Sequence, residues 1–194
     1  MEMKDVAAHE AGHAVILLIW GYPFQAVSIE KTNEYLGVIL PDPTGATTFR
    51  QTTHPFWSLF MDLCMFAAGE VAVSIQNGDK RGFFPGILAI NPADPVLESR
   101  TDDAAMLVGT ANAFQLPVKD CVERGLAVAH ALLSIPSVWG AVERIRDMTL
   151  VRRVLPYVEA KTAFDEVVTR FEGGEAISIR NRAYKKLQQD IEGV

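Results

Sequence analysis

Met3-Lys-Asp-Val-Ala-Ala-His9-Glu10-Ala-Gly-His13-Ala-Val-Ile-Leu-Leu-Ile-Trp20 is the stretch on which the reading of the fold turns. Met3 and Val6 lead in, and an apolar run follows from Ala14 to Ile19, the density expected of a largely buried helix. Gly21-Tyr22-Pro23 stops it, so the pattern predicts a helix from about Asp5 to Trp20. Positions four apart lie on one face, one turn above the other. His9 and His13 therefore direct their imidazoles at one point, with Glu10 flanking it. Imidazoles left without partners in a buried helix would be costly, which argues for a metal between them.

Neutral imidazoles suit zinc, and a catalytic zinc takes three protein ligands and leaves a fourth position to water. Metal-bound water loses a proton near neutral pH, and a neighbouring carboxylate can accept it and pass it to a leaving amine. Glu10 is the candidate base. For the third ligand, His54, in Thr-Thr-His-Pro, reads as a helix start, and His130 lies inside the apolar run Leu126 to Leu133; both read as structural. Glu70, Asp102 and Asp103 remain. Glu70 sits in Phe66-Ala-Ala-Gly-Glu-Val-Ala-Val73, where it is a ligand, a partner for a histidine nitrogen, or part of an exposed stripe. Asp103 shares a helical face with Leu107 and Ala111, and Asp102 lines up with Met106 and Gly109.

The remaining chain reads as helices around a small hairpin. Gln25 to Glu30 and Tyr35 to Leu40 have the alternation and β-branching of strands, joined by a turn at Thr32-Asn33-Glu34. Pro41 to Gln51, rich in Pro, Thr and Gly, reads as loop. Apolar residues at helical spacing predict a second helix from His54 or Pro55 to Gln76, ending before Asn77-Gly78. Arg81 to Pro95 reads as a mobile loop near a site. Thr101 is a plausible N-cap for a third helix with Asp102 and Asp103 in its first turn. Further helices follow Pro117, Pro136 and Leu150, the last with a kink or its true start at Pro156; Gly173-Gly174 is read as a break before a short C-terminal helix.

At 194 residues and 49% hydrophobic content, the chain suffices for one sizeable domain with a full core. A net charge of −6 and a pI near 5.2 argue against nucleic acid as partner. The basic tail Arg180 to Lys186 reads as a solvated helix face. Cys64 and Cys121, far apart in apolar helical stretches, read as reduced, buried thiols. No signal peptide is evident, and the longest apolar run, Ala14 to Trp20, is too short to cross a bilayer, so a cytoplasmic protein without a membrane span is expected.

Val6-Ala-Ala-His-Glu-Ala-Gly-His-Ala-Val15 resembles the zinc helix of the peptidase domain of FtsH-type ATP-dependent metalloproteases. More weakly, Gln25 to Ile29 and Gly37 are similar to that family's strand pair, and Ala68-Gly-Glu-Val-Ala72 to its glycine-rich second helix. In that family an Asn-Asp pair opening a later helix supplies the third zinc ligand, with an alanine eight residues on. Asp102-Asp103 with Ala111 falls on that pattern. The resemblance implies His9, His13 and Asp103 for Zn2+, and Glu10 for catalysis. It covers about residues 1–115, leaving 116–194 as a helical C-terminal part of one domain.

The departures are specific. There is no Gly-x-x-x-x-Gly-Lys-[Ser/Thr] loop, and only eight residues precede the motif, which suggests a stand-alone form without the ATPase domain. Glu70 stands where the family usually has arginine, Val73 where it often has an acidic residue, and the insertion from Gly78 to Glu98 is longer and richer in proline. The expectation that follows is a mainly α fold with a small β-hairpin or sheet (α+β), zincin-like, acting as a zinc metalloendopeptidase of the His-Glu-x-x-His type. Its substrates would be short or unfolded polypeptides, with a separate ATPase as a further partner and homo-oligomerisation left open. A substrate strand would pair with the edge of Val27-Ser28-Ile29 or Gly37-Val38-Ile39. Two other readings are a catalytically inactive, peptidase-like binding or structural module, and a zinc hydrolase acting on a non-peptide bond.

Overall fold

The computed structural model describes residues 2–31, 36–78, 103–168 and 170–192, the side chains of 170–172 and 190–192 excepted. The expectations for the Thr32-Asn33-Glu34 turn, the 78–98 insertion, Thr101 and Asp102 therefore lie outside, or all but outside, the described residues. The architecture is mainly α-helical with one small three-stranded antiparallel sheet. Helix α1 spans Met3–Trp20, followed by β1 (Phe24–Ser28) and β2 (Val38–Pro41). Then come α2 (Pro43–Thr52), α3 (Pro55–Gln76), α4 (Asp103–Ala113), α5 (Val118–Leu133) and α6 (Pro136–Arg152). Strand β3 (Val154–Pro156), α7 (Tyr157–Val167) and α8 (Arg170–Glu192) complete the described chain.

Helix α1 ends as its sequence demands. Gly21 adopts the left-handed conformation at φ 69°, and the Gly21 and Tyr22 amides close on the carbonyls of Leu18 and Leu17. At the centre of the fold is α3, packed between α1 on one side and α4 and α5 on the other, while α6 covers another side of α1. Glycines let the backbones approach: a Cβ on Gly12 of α1 would lie 2.7 Å from the Ala68 carbonyl oxygen, and one on Gly125 of α5 would lie 2.6 Å from that of Leu63. Val15, Ile16, Leu59, Leu63, Leu107 and Leu132 fill the space between these helices and are all fully buried. By length and mean hydropathy, 1.6 over its best window, α3 would suffice to cross a membrane, although 61% of that window is buried inside this fold. Core helices reach such values too.

The sheet has the order β2-β1-β3. Val27 pairs with Ile39 on one side and with Leu155 on the other. Strand β1 is therefore central, and the expectation that Val27-Ser28-Ile29 offers a free edge is corrected. The reason is β3, three residues whose shortness left no alternation to read. Pro156 supplies an extended residue at the strand end and the N-cap position of α7, so it marks a true helix start.

Two other expectations fail. Residues 43–52 form α2 and not a loop, because the Asp42 carboxylate accepts hydrogen bonds from the Thr44 and Gly45 amides while Pro43 occupies the first turn. Gly173-Gly174 does not break the chain; α8 runs through both. The basic tail is not wholly solvated either. Arg180 lies 4.9 Å from the Trp57 ring centroid and 5.7 Å from that of Trp20, and donates to the Ile19 carbonyl at 2.7 Å. Cys64 and Cys121 are free and buried, and burial pushes the thiols of both up.

Candidate metal centre

Two helices build the centre. His9 and His13 project from one face of α1, as their spacing of four requires, and Asp103 meets them from the first turn of α4. One carboxylate oxygen, Asp103 Oδ2, lies 2.8 Å from His9 Nε2 and 3.0 Å from His13 Nε2. The two imidazoles are nearly perpendicular, with centroids 4.6 Å apart. One ligand atom from each of the three residues lies within 4.8 Å of the others, a grouping that could coordinate a divalent metal ion.

The surroundings orient the rings unequally. His13 Nδ1 is 2.7 Å from the carbonyl oxygen of Met65 on α3 and donates to it, which leaves Nε2 as the atom turned to the centre. A neutral His13 would then face the Asp103 carboxylate lone pair to lone pair, so a proton or a cation must lie between them. In the metal-free protein the proton serves: burial opposes a charged ring, but the Asp103 carboxylate outweighs it and His13 is pushed up to about 9. Burial likewise works against a charged Asp103, yet His13 and His9 hold its carboxyl well below the usual range. His9 Nδ1 is buried with no hydrogen-bond partner among the described residues. On its α3 side the ring occupies the space left by the missing side chain of Gly69.

Glu10 borders the cluster without joining it. Its side chain is 6% exposed and packs where a Cβ on Gly37 would lie 2.8 Å from both Cγ and Oε1. Burial raises its pKa, and the opposing fields of His13 and His9 do not cancel that effect. Glu70 is half-buried on α3 and not a member of the donor group. His54 caps α3 by accepting from the Phe56 amide, and His130 lies on α5 with its Nδ1 3.4 Å from Ser134 Oγ; neither reaches the centre. Three contributors carried little or no sequence signal: the Met65 carbonyl, which any residue would supply, and the close approaches of Gly69 and Gly37.

No protein-family model matches the chain, and no curated protein matches it. The expectation of a zinc metalloendopeptidase, with its hydrolase and protease chemistry, is corrected on these grounds. The donors that converge are two imidazoles and one aspartate, Glu10 stays outside them in a buried, charge-disfavouring position, and no peptidase family is matched.

Proposed function

We propose that this chain is a non-catalytic, metal-holding module on a zincin-like scaffold, in which His9, His13 and Asp103 bind zinc and tie α1 to the start of α4. One observation carries the reading: three donor atoms from two helices converge on one point, with the tautomer of His13 already set by the Met65 carbonyl. Two borderline nitrogens and one carboxylate oxygen suit zinc better than magnesium or calcium, which favour all-oxygen sites. Bound there, a dication would take the place of the proton that His13 otherwise carries, relieving the apposition of Nε2 and Oδ2. The scaffold half of the reading rests on the sequence resemblance of Val6 to Val15 to the zinc helix of the FtsH-type peptidase domain, and the burial of Glu10 supports the absence of cleavage.

Zinc content and peptide hydrolysis test both halves. We expect one zinc per chain in the purified protein, lost in His13→Ala and in Asp103→Ala. We also expect no hydrolysis of unfolded polypeptide that distinguishes the protein from Glu10→Gln. Hydrolysis abolished by Glu10→Gln in a folded chain would overturn the non-catalytic half, and a wild-type chain that takes up no zinc would overturn the metal half.

A further inference from the structure

On α1, His9 and His13 are one turn apart and chemically identical, but α3 meets them differently. For His13 it offers an acceptor, the Met65 carbonyl at 2.7 Å. Four residues along the same helix, Gly69 offers His9 nothing but room. A Cβ built on Gly69 would press on His9 Cε1 and lie 2.5 Å from Nε2 and 2.6 Å from Nδ1. No real Cβ sits that close to a ring, so the imidazole would have to leave its seat. Among the described residues the ring is otherwise held by the Nε2 contact to Asp103 and the edge contact with the His13 ring, since its Nδ1 has no partner.

We infer that Gly69 is a positioning residue for the metal centre: its missing side chain is the seat of the His9 ring, and it acts on metal binding through His9 alone. The inference rests on the metal-holding reading above. Its physical content is that one histidine is aimed by a hydrogen bond and the other by shape. A Gly→Ala change within a helix favours helix formation by itself, and the three heavy atoms nearest that Cβ all belong to the His9 ring, so the penalty expected at residue 69 comes from the ring. Gly12 is a natural control. It too is a buried glycine in the α1–α3 contact, but its Cβ would meet Ala68 and Ala72 and no histidine.

A double-mutant cycle tests this: wild type, Gly69→Ala, His9→Ala and Gly69→Ala with His9→Ala, alongside Gly12→Ala. Zinc affinity is measured by competition with a chelating dye, the visible absorption of the Co2+-loaded protein reports coordination, and metal-free melting temperature reports the fold. Gly69→Ala is expected to weaken zinc about 10- to 100-fold, in the range for displaced supports of metal ligands, and to change the Co2+ spectrum. In the His9→Ala background the same change should lower the melting temperature not at all, because the ring it collides with is gone. An equal loss of melting temperature in both backgrounds, or an unchanged zinc affinity and Co2+ spectrum in Gly69→Ala, would overturn the inference while leaving the metal-holding reading standing. Wild-type protein that binds neither zinc nor Co2+ would overturn both. Should Gly69→Ala fail to fold alone, recovery of folding in the double variant still supports the role, and failure of both refutes it.

Discussion

At the scale of single residues, the His13–Asp103 pair makes a pH prediction whose sign follows from the direction of each shift. His13 is raised from 6.5 to about 9 in the folded, metal-free protein, so its contribution to stability is complete below about 6.5 and is lost as pH rises through about 9. Asp103 is lowered from 3.8, so its contribution is present above that value and is lost as pH falls through the folded-state pKa. The metal-free melting temperature should therefore decline between pH 6.5 and 9, and that decline should vanish in Asp103→Ala. Zinc must displace the His13 proton, so its affinity should rise about tenfold per pH unit up to about 9. A zinc affinity independent of pH across that range would show that His13 Nε2 is not a ligand. His9 and His13 were legible as a pair because a helix converts a spacing of four into one face, whereas Glu10, read with them, lies outside the converging donors. Which carboxylate joins them was not legible from spacing, because Asp103 arrives from 90 residues away.

At the scale of elements, α2 separates local from global stability. None of its residues is buried, and its N-terminus depends on the Asp42 side chain. Replacing Asp42 by Ala should cost α2 about 1 kcal/mol, the usual worth of an N-cap. Because so little of the core depends on α2, hydrogen exchange of its amides should quicken while the melting temperature stays within about 2 °C of the wild-type value. A cooperative fall in melting temperature would show instead that α2 is part of the core. Here the sequence misled: Pro, Thr and Gly read as loop, whereas Pro43 and Asp42 stand at the positions where a helix start wants them. The same error occurred at Gly173-Gly174, where poor helix formers are carried within α8, whose Ala176 and Leu187 are buried.

At the scale of the whole molecule, the candidate metal centre joins the first helix to one that lies past a long segment of chain, so occupancy should stabilise the entire fold. A free zinc concentration 100 times the dissociation constant adds about 2.7 kcal/mol. For a chain of this size that corresponds to a rise of about 5–10 °C in melting temperature, reversed by a chelator and absent in His13→Ala. A zinc-induced rise that survives in His13→Ala would place the responsible site elsewhere. Local sequence by itself determined α1, its glycine stop, most of α3 and the paired histidines, because periodicity, capping and a spacing of four act within a few residues. Tertiary structure alone decided that β1 is central, that α3 offers a carbonyl to one histidine and an empty place to the other, and that Glu10 is sealed beneath Gly37. Those features are approaches between backbones distant in sequence, and the residues that make them, glycines and a main-chain oxygen, have no side chain to announce it.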